Sequence, residues 1–257
     1  MINIYKIGGN IINDREALLS FLKDFAKVPG KKILVHGGGK EATELSKKTG
    51  IETKMIDGRR VTDKETLDLV TMVYAGLINK RIVSLLQEEG CNAVGLTGAD
   101  GNVIPAKRRN PEPFDFGYVG DINPEQINTG FISLLLDKGY VPVFCAICRN
   151  PEGGLLNCNA DSIAGSLALA CAKLEETNLI YCFEKPGVLE NVDDDTSVIP
   201  LVTPTLYEEM VSQGIISGGM FPKISNALKA VANGVNSVKI CDAKAFDKSG
   251  GTIIRNS

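Results

Sequence analysis

The sequence predicts an α/β sandwich built on a mainly parallel sheet. Strand-like and helix-like segments alternate almost from end to end, the pattern of successive βα units. Two early strands end in glycine clusters, Lys6-Ile7-Gly8-Gly9 and His36-Gly37-Gly38-Gly39, that turn the chain into the next helix. The bulk agrees: 257 residues, 44% hydrophobic and 23% charged, suffice for a core without disulfide or metal staples.

Residues 2–7 read as the first strand and 14–28 as an amphipathic helix. Residues 32–36 form the next strand, and the three glycines lead into a helix over 40–48. Thr62-Asp63-Lys64-Glu65 fits a capping box with Thr62 as the cap. It opens a long helix whose apolar positions Leu67, Val70, Tyr74, Leu77, Val83 and Leu86 follow helical spacing, closed by Gly90. A strand over 92–96 follows. The stretch 98–122 breaks the alternation: Gly98, Asp100-Gly101 and Asn110-Pro111-Glu112-Pro113 are turn chemistry between short strand-like pieces, so it reads as β-hairpins. Beyond it come a helix over 124–138, a strand over 141–147, a buried helix over 161–172 and a strand over 179–183. Helices over 204–213 and 221–233 and strands over 237–241 and 252–255 finish the chain. A soft boundary near Lys173 divides residues 1–172 from 173–257, two lobes sharing one sheet.

Composition excludes several classes. A net charge of −3 with both signs scattered offers no basic block for nucleic acid. The longest uninterrupted apolar runs are too short for a bilayer, and the first residues lack the regions of a signal peptide, so a cytoplasmic protein is expected. The cysteines number seven. Cys145-Ala-Ile-Cys148 matches C-x-x-C, but it sits in an apolar strand with no second pair and no nearby histidine, so buried thiols are expected. Asp193-Asp194-Asp195 reads as a solvated loop rather than a metal site. Lone His36 is given a structural role.

The chemistry concentrates in the glycine clusters. Glycine lets the backbone approach a ligand, and its free N–H groups suit anionic oxygens. Lys6 lies inside an apolar strand, where a charge needs a partner. Gly37-Gly38-Gly39-Lys40-Glu41-Ala42 also fits a dinucleotide fingerprint, with Asp57 as its ribose acid, so a nicotinamide oxidoreductase is a rival. Asp161 could be no more than a helix N-cap.

Three further segments complete a set: Gly58-Arg59-Arg60-Val61-Thr62, Asn157-Cys158-Asn159-Ala160-Asp161 and Gly218-Gly219-Met220-Phe221-Pro222-Lys223. With the two glycine clusters, in this order, they resemble the acetylglutamate kinases of the amino-acid kinase family. Gly117-Tyr118-Val119-Gly120 and Pro186-Gly187-Val188-Leu189 look like that family too. The resemblance implies a three-layer sandwich with an eight-stranded, mainly parallel central sheet. It implies N-acylglutamate binding and dimerisation in residues 1–172 and ATP binding in 173–257. Lys6 and Lys223 match the lysines that hold the migrating phosphoryl group, and Asp161 matches the acid that orients them. Gly8 and Gly9 match phosphate-binding backbone, while Gly38, Gly39, Arg60 and Asn157 match the substrate site. No metal-ligating side chain is implied; Mg²⁺ would come held by ATP and water.

The implied activity is ATP-dependent phosphorylation of the γ-carboxylate of N-acetyl-L-glutamate, or a related N-acylglutamate, in arginine biosynthesis. Other kinases of the same fold, acting on glutamate, aspartate, carbamate or UMP, are alternatives. A small-molecule substrate and a homodimer joined through the long helix after Thr62 are expected. Two departures stand out. Phe183-Glu184-Lys185 replaces a Ser/Thr-Asp-Val pattern near the nucleotide site, and Arg59 stands where an apolar residue is common. Arg59, with Lys107-Arg108-Arg109, raises the expectation that an acyl group carrying its own carboxylate is accepted.

Overall fold

The structure, a computed structural model, describes residues 1–56, 58–215, 220–248 and 250–256. Its centre is an eight-stranded sheet in the order β12-β14-β13-β11-β1-β2-β8-β5. The strands are β1 (Ile2–Ile7), β2 (Lys31–His36), β5 (Ala93–Leu96), β8 (Val141–Phe144), β11 (Thr177–Phe183), β12 (Leu201–Val202), β13 (Ser237–Asp242) and β14 (Thr252–Ile254). From β13 to β5 all neighbours pair parallel; β14 is antiparallel to β13 and carries β12 with it. β1 is buried on both faces, as a central parallel strand must be. On one face Tyr5 meets Phe25 of α2 (Arg15–Lys27) edge-on at 5.2 Å. On the other, α7 (Ala160–Ala172) packs over β1 and β11.

Three small antiparallel pairs lie off the main sheet: β3 (Met55–Ile56) with β4 (Arg59–Arg60), β6 (Ala106–Arg108) with β7 (Gly120–Ile122), and β9 (Ile147–Arg149) with β10 (Leu155–Asn157). Two sequence expectations change here. The strand expected over 141–147 is two: β8 stays in the sheet, the chain breaks at Cys145-Ala146, and β9 leaves to pair with β10. The hairpins expected over 98–122 reduce to one wide pair, β6 and β7, preceded by a short 3₁₀ turn at Asp100–Asn102.

The long helix runs over Lys64–Glu88 as α4 (Lys64–Thr71), a π-helical stretch (Met72–Ile78) and α5 (Asn79–Glu88). The wider π turns rotate the following residues around the axis. Ile78 is therefore buried, whereas Leu77, expected on the buried face, is 48% exposed. Its cap is Asp63, whose side chain accepts the Thr66 N–H at 2.8 Å, not Thr62. The helix has the length and composition to cross a membrane, yet Val70, Val73, Ile78, Ile82 and Leu86 are buried against the rest of the fold.

Candidate active site

β1 lies between β11 and β2 at the middle of the sheet, where successive strands are added in opposite directions. Ligands bind outside the C-terminal ends of strands at such a switch point. β1 ends there in Gly8-Gly9, opening α1 (Gly9–Asn13), and β2 ends in Gly37-Gly38, opening α3 (Gly39–Thr49). Neither helix has a side-chain cap. By contrast α2, α4, α6 (Thr129–Asp137), α7 and α8 (Pro204–Ser212) start behind Asp14, Asp63, Asn128, Asn159 and Thr203, whose side chains accept early N–H groups. The N–H groups opening α1 and α3 are thus left for an outside acceptor.

Lys6, only 7% exposed, projects from the end of β1 and meets Asp161 Oδ1 at 2.7 Å. Asp161 is in the first turn of α7, and Asn159 performs the capping there, accepting the Asp161 and Ser162 N–H groups. The carboxylate is therefore free of capping and acts on the lysine. A Cβ at Gly8 would stand 3.9 Å from Lys6 Nζ, so the loop passes directly beside the ammonium. Lys223, on α9 (Met220–Ala232), reaches the same place: its Nζ lies 4.0 Å from the centroid of the Phe183 ring, and Lys6 Nζ lies 5.4 Å from it. Burial is the main influence lowering the Lys223 pKa and Lys6 adds to it, against the fields of Asp161 and Glu184.

The second half of the site is built around Arg60, 8% exposed. Its guanidinium donates to Gly39 O at 2.9 Å, Thr43 Oγ1 at 2.7 Å and Thr53 Oγ1 at 3.1 Å. All three acceptors are neutral, and among the described residues no carboxylate pairs with it. A buried guanidinium held only by neutral oxygens is suited to an incoming anion. Gly38 is glycine for a packing reason: a Cβ there would fall 2.4 Å from Ile78 Cδ1 and 2.8 Å from Tyr74 Cδ1, so the loop lies against the π-helical stretch. Asn157, at the end of β10, donates to Thr62 Oγ1 at 3.0 Å. That bond occupies the hydroxyl expected to cap the helix.

Lys6, Lys223, Asp161, Gly8 and Gly9 thus gather at one side of the switch point, and Gly39, Arg60 and Gly38 are tied together beside it. The hairpin cations go elsewhere. Arg109 is paired with Asp121 and Arg108 lies 3.6 Å from Asp115, while Arg59 is exposed. All seven cysteines are free and buried. The motif residues Gly218 and Gly219, and Asp57 of the rival fingerprint, lie outside the described residues. The sequence assigns no site role to Phe183 or Thr62. The only sequence signal for Phe183 was its departure from the expected pattern.

The chain is similar to known proteins over nearly its whole length. The sequence signature of the amino acid kinase family matches residues 1–242. The acetylglutamate kinase of Phocaeicola vulgatus is 49% identical over 99% of this chain and 98% of its own. That of Cytophaga hutchinsonii is 51% identical over 95% and 92%. A Streptococcus mutans protein of known structure superposes with a TM-score of 0.79 at 31% identity, covering 100% of this chain and 99% of its own.

Proposed function

The chain belongs to the amino acid kinase family, and we propose that it uses ATP to phosphorylate the γ-carboxylate of N-acetyl-L-glutamate, a step of arginine biosynthesis. It is a kinase whose acceptor is a carboxyl group. The observation that carries the reading is the Lys6–Asp161 pair at 2.7 Å with Lys223 reaching the same ring, beside two uncapped helices.

ATP supplies the phosphoryl group. In transfer its negative charge spreads over the equatorial oxygens, so pre-positioned cations stabilise the transition state. Lys6 and Lys223 are those cations, with the Gly8-Gly9 backbone donating beside them. Asp161 holds Lys6 in place and removes no proton, because a carboxylate nucleophile has none to lose. Arg60 binds the substrate α-carboxylate, and Gly38-Gly39 line its seat. Asn157 donates one amide N–H to Thr62, which fixes the side chain, and its carbonyl oxygen accepts the substrate amide N–H. Among the described residues no cluster of three His, Cys, Asp or Glu side chains is placed to hold a metal. Asp161 already serves Lys6. Mg²⁺ would on this reading accompany the nucleotide, held mainly by phosphate oxygens and water. On this reading residues 1–172 bind the acylated amino acid and 173–257 the nucleotide. Seven free thiols support a cytoplasmic setting.

The test is ADP release measured with N-acetylglutamate, N-succinylglutamate, glutamate and aspartate. Turnover is expected with N-acetylglutamate, and activity confined to the unacylated amino acids would overturn the assignment. Lys6→Ala and Lys223→Ala should each lower kcat by about 10²–10³ with a smaller change in nucleotide affinity. Near-normal turnover in either variant would remove it from the mechanism.

A further inference from the structure

Phe183 ends β11 in the segment Phe183-Glu184-Lys185, and the chemistry above leaves it unused. Its ring lies within cation–π range of both ammonium groups, 4.0 Å from Lys223 Nζ and 5.4 Å from Lys6 Nζ. The ring is itself held. Tyr181, two residues earlier on the same face of β11, stacks on it at 6.0 Å with an interplanar angle of 15°. The Tyr181 hydroxyl lies 3.4 Å from Asp161 O, at the start of the helix whose carboxylate pairs with Lys6. The contacts therefore close a circuit from Lys223 through Phe183, Tyr181 and Asp161 to Lys6.

Two cations gathered around one carboxylate repel each other until an anion arrives. A second carboxylate would hold them but would also repel phosphate oxygens. An aromatic face attracts ammonium groups without adding negative charge. We propose that Phe183 is a positioning residue for phosphoryl transfer, its π face holding Lys6 and Lys223 at the site as ammonium ions before nucleotide binds. This rests on the assignment of the two lysines to the transferred phosphoryl group. The charged groups acting on Lys223 are Asp161 from α7, Lys6 from β1 and Glu184 just past β11, and burial works against its charge.

The test titrates Lys223 in the unliganded protein by the pH dependence of its acetylation, read by mass spectrometry. Three proteins are compared: wild type, Phe183→Leu, and a variant with 3,4,5-trifluorophenylalanine at 183, which keeps the shape and weakens the face. In both variants the Lys223 titration should move down by about 0.5–1 pH unit, equivalent to about 0.7–1.4 kcal/mol at about 1.36 kcal/mol per unit. The kcat should fall about 3–10-fold at neutral pH with KM for N-acetylglutamate little changed, and Phe183→Tyr should restore it. A Lys223 titration that stays put or moves upward in the fluorinated variant would make the ring a mere wall and overturn the proposal. An inactive wild type would overturn the kinase reading instead, and the titration distinguishes the two failures.

Discussion

His36 shows how a single residue can couple the site to pH without touching substrate. It ends β2 fully buried, with Nδ1 2.8 Å from Gly37 O and Nε2 3.1 Å from the Asn79 amide nitrogen. A carbonyl only accepts, so Nδ1 carries the hydrogen and Nε2 receives one from Asn79. Only one neutral tautomer fits, and it holds the first peptide of the glycine loop in place. Burial pushes the imidazole pKa down to about 4. The unfolded chain takes up that proton near 6.5 and the folded one only near 4. This contribution to stability is therefore complete above about pH 6.5 and is lost as pH falls toward 4. By pH 5 the loss is about 2 kcal/mol. Urea unfolding at pH 7.5 and pH 5 should show a smaller drop for His36→Gln than for wild type. Equal drops would mean that His36 is not the group titrating.

At the scale of elements, the start of the long helix separates two neighbouring hydroxyl and carboxyl side chains by task. Asp63 caps the helix, and Thr62 receives the Asn157 amide and donates to Arg60 O at 3.2 Å. Removing a cap costs about 1 kcal/mol of stability. Asp63→Ala should accordingly lower the urea midpoint with little effect on KM for N-acetylglutamate. Thr62→Ala should do the reverse, raising KM by loosening Asn157. Kinetic and unfolding data in the opposite order would return the cap to Thr62. The uncapped starts of α1 and α3 belong to the same comparison: no side chain accepts their first N–H groups, and on the proposed function these are left for oxygens of the ligands.

For the molecule as a whole, the long helix is half core and half surface. Its inner face fills the fold, while Met72 and Leu77 in the π-helical stretch are 62% and 48% exposed. Large apolar side chains presented on one helix suit a second copy of the chain. We propose the homodimer there. Light scattering should give twice the 27.5 kDa chain mass for wild type. Paired Met72→Glu and Leu77→Glu substitutions should give the single chain with its secondary structure intact. A wild-type monomer, or a doubly substituted dimer, would exclude this face.

Much of this was legible in the residues alone, because it depends on neighbours within a turn or two. Alternating periodicity announced the parallel sheet, glycines after β1 and β2 announced tight turns, and Lys6 in an apolar strand announced a partner. The motif residues singled out Asp161, which pairs with Lys6, and Arg60, which is buried against Gly39, Thr43 and Thr53. What the sequence left open was decided where distant segments compete for the same group. Thr62 and Asp63 are both good caps, and Asn157, brought in by β10, took the hydroxyl of one of them. The apolar run over 141–147 satisfies a single strand until β10 offers β9 a better antiparallel partner. A regular helical repeat cannot announce the π turns, in which Leu77 is exposed while Tyr74 and Ile78 lie against Gly38. Phe183 meets the two lysines only because β11 pairs with β1 and α9 lies near α7. Local propensity fixes which elements form; the free energy of burying their side chains together fixes which partners each one finds.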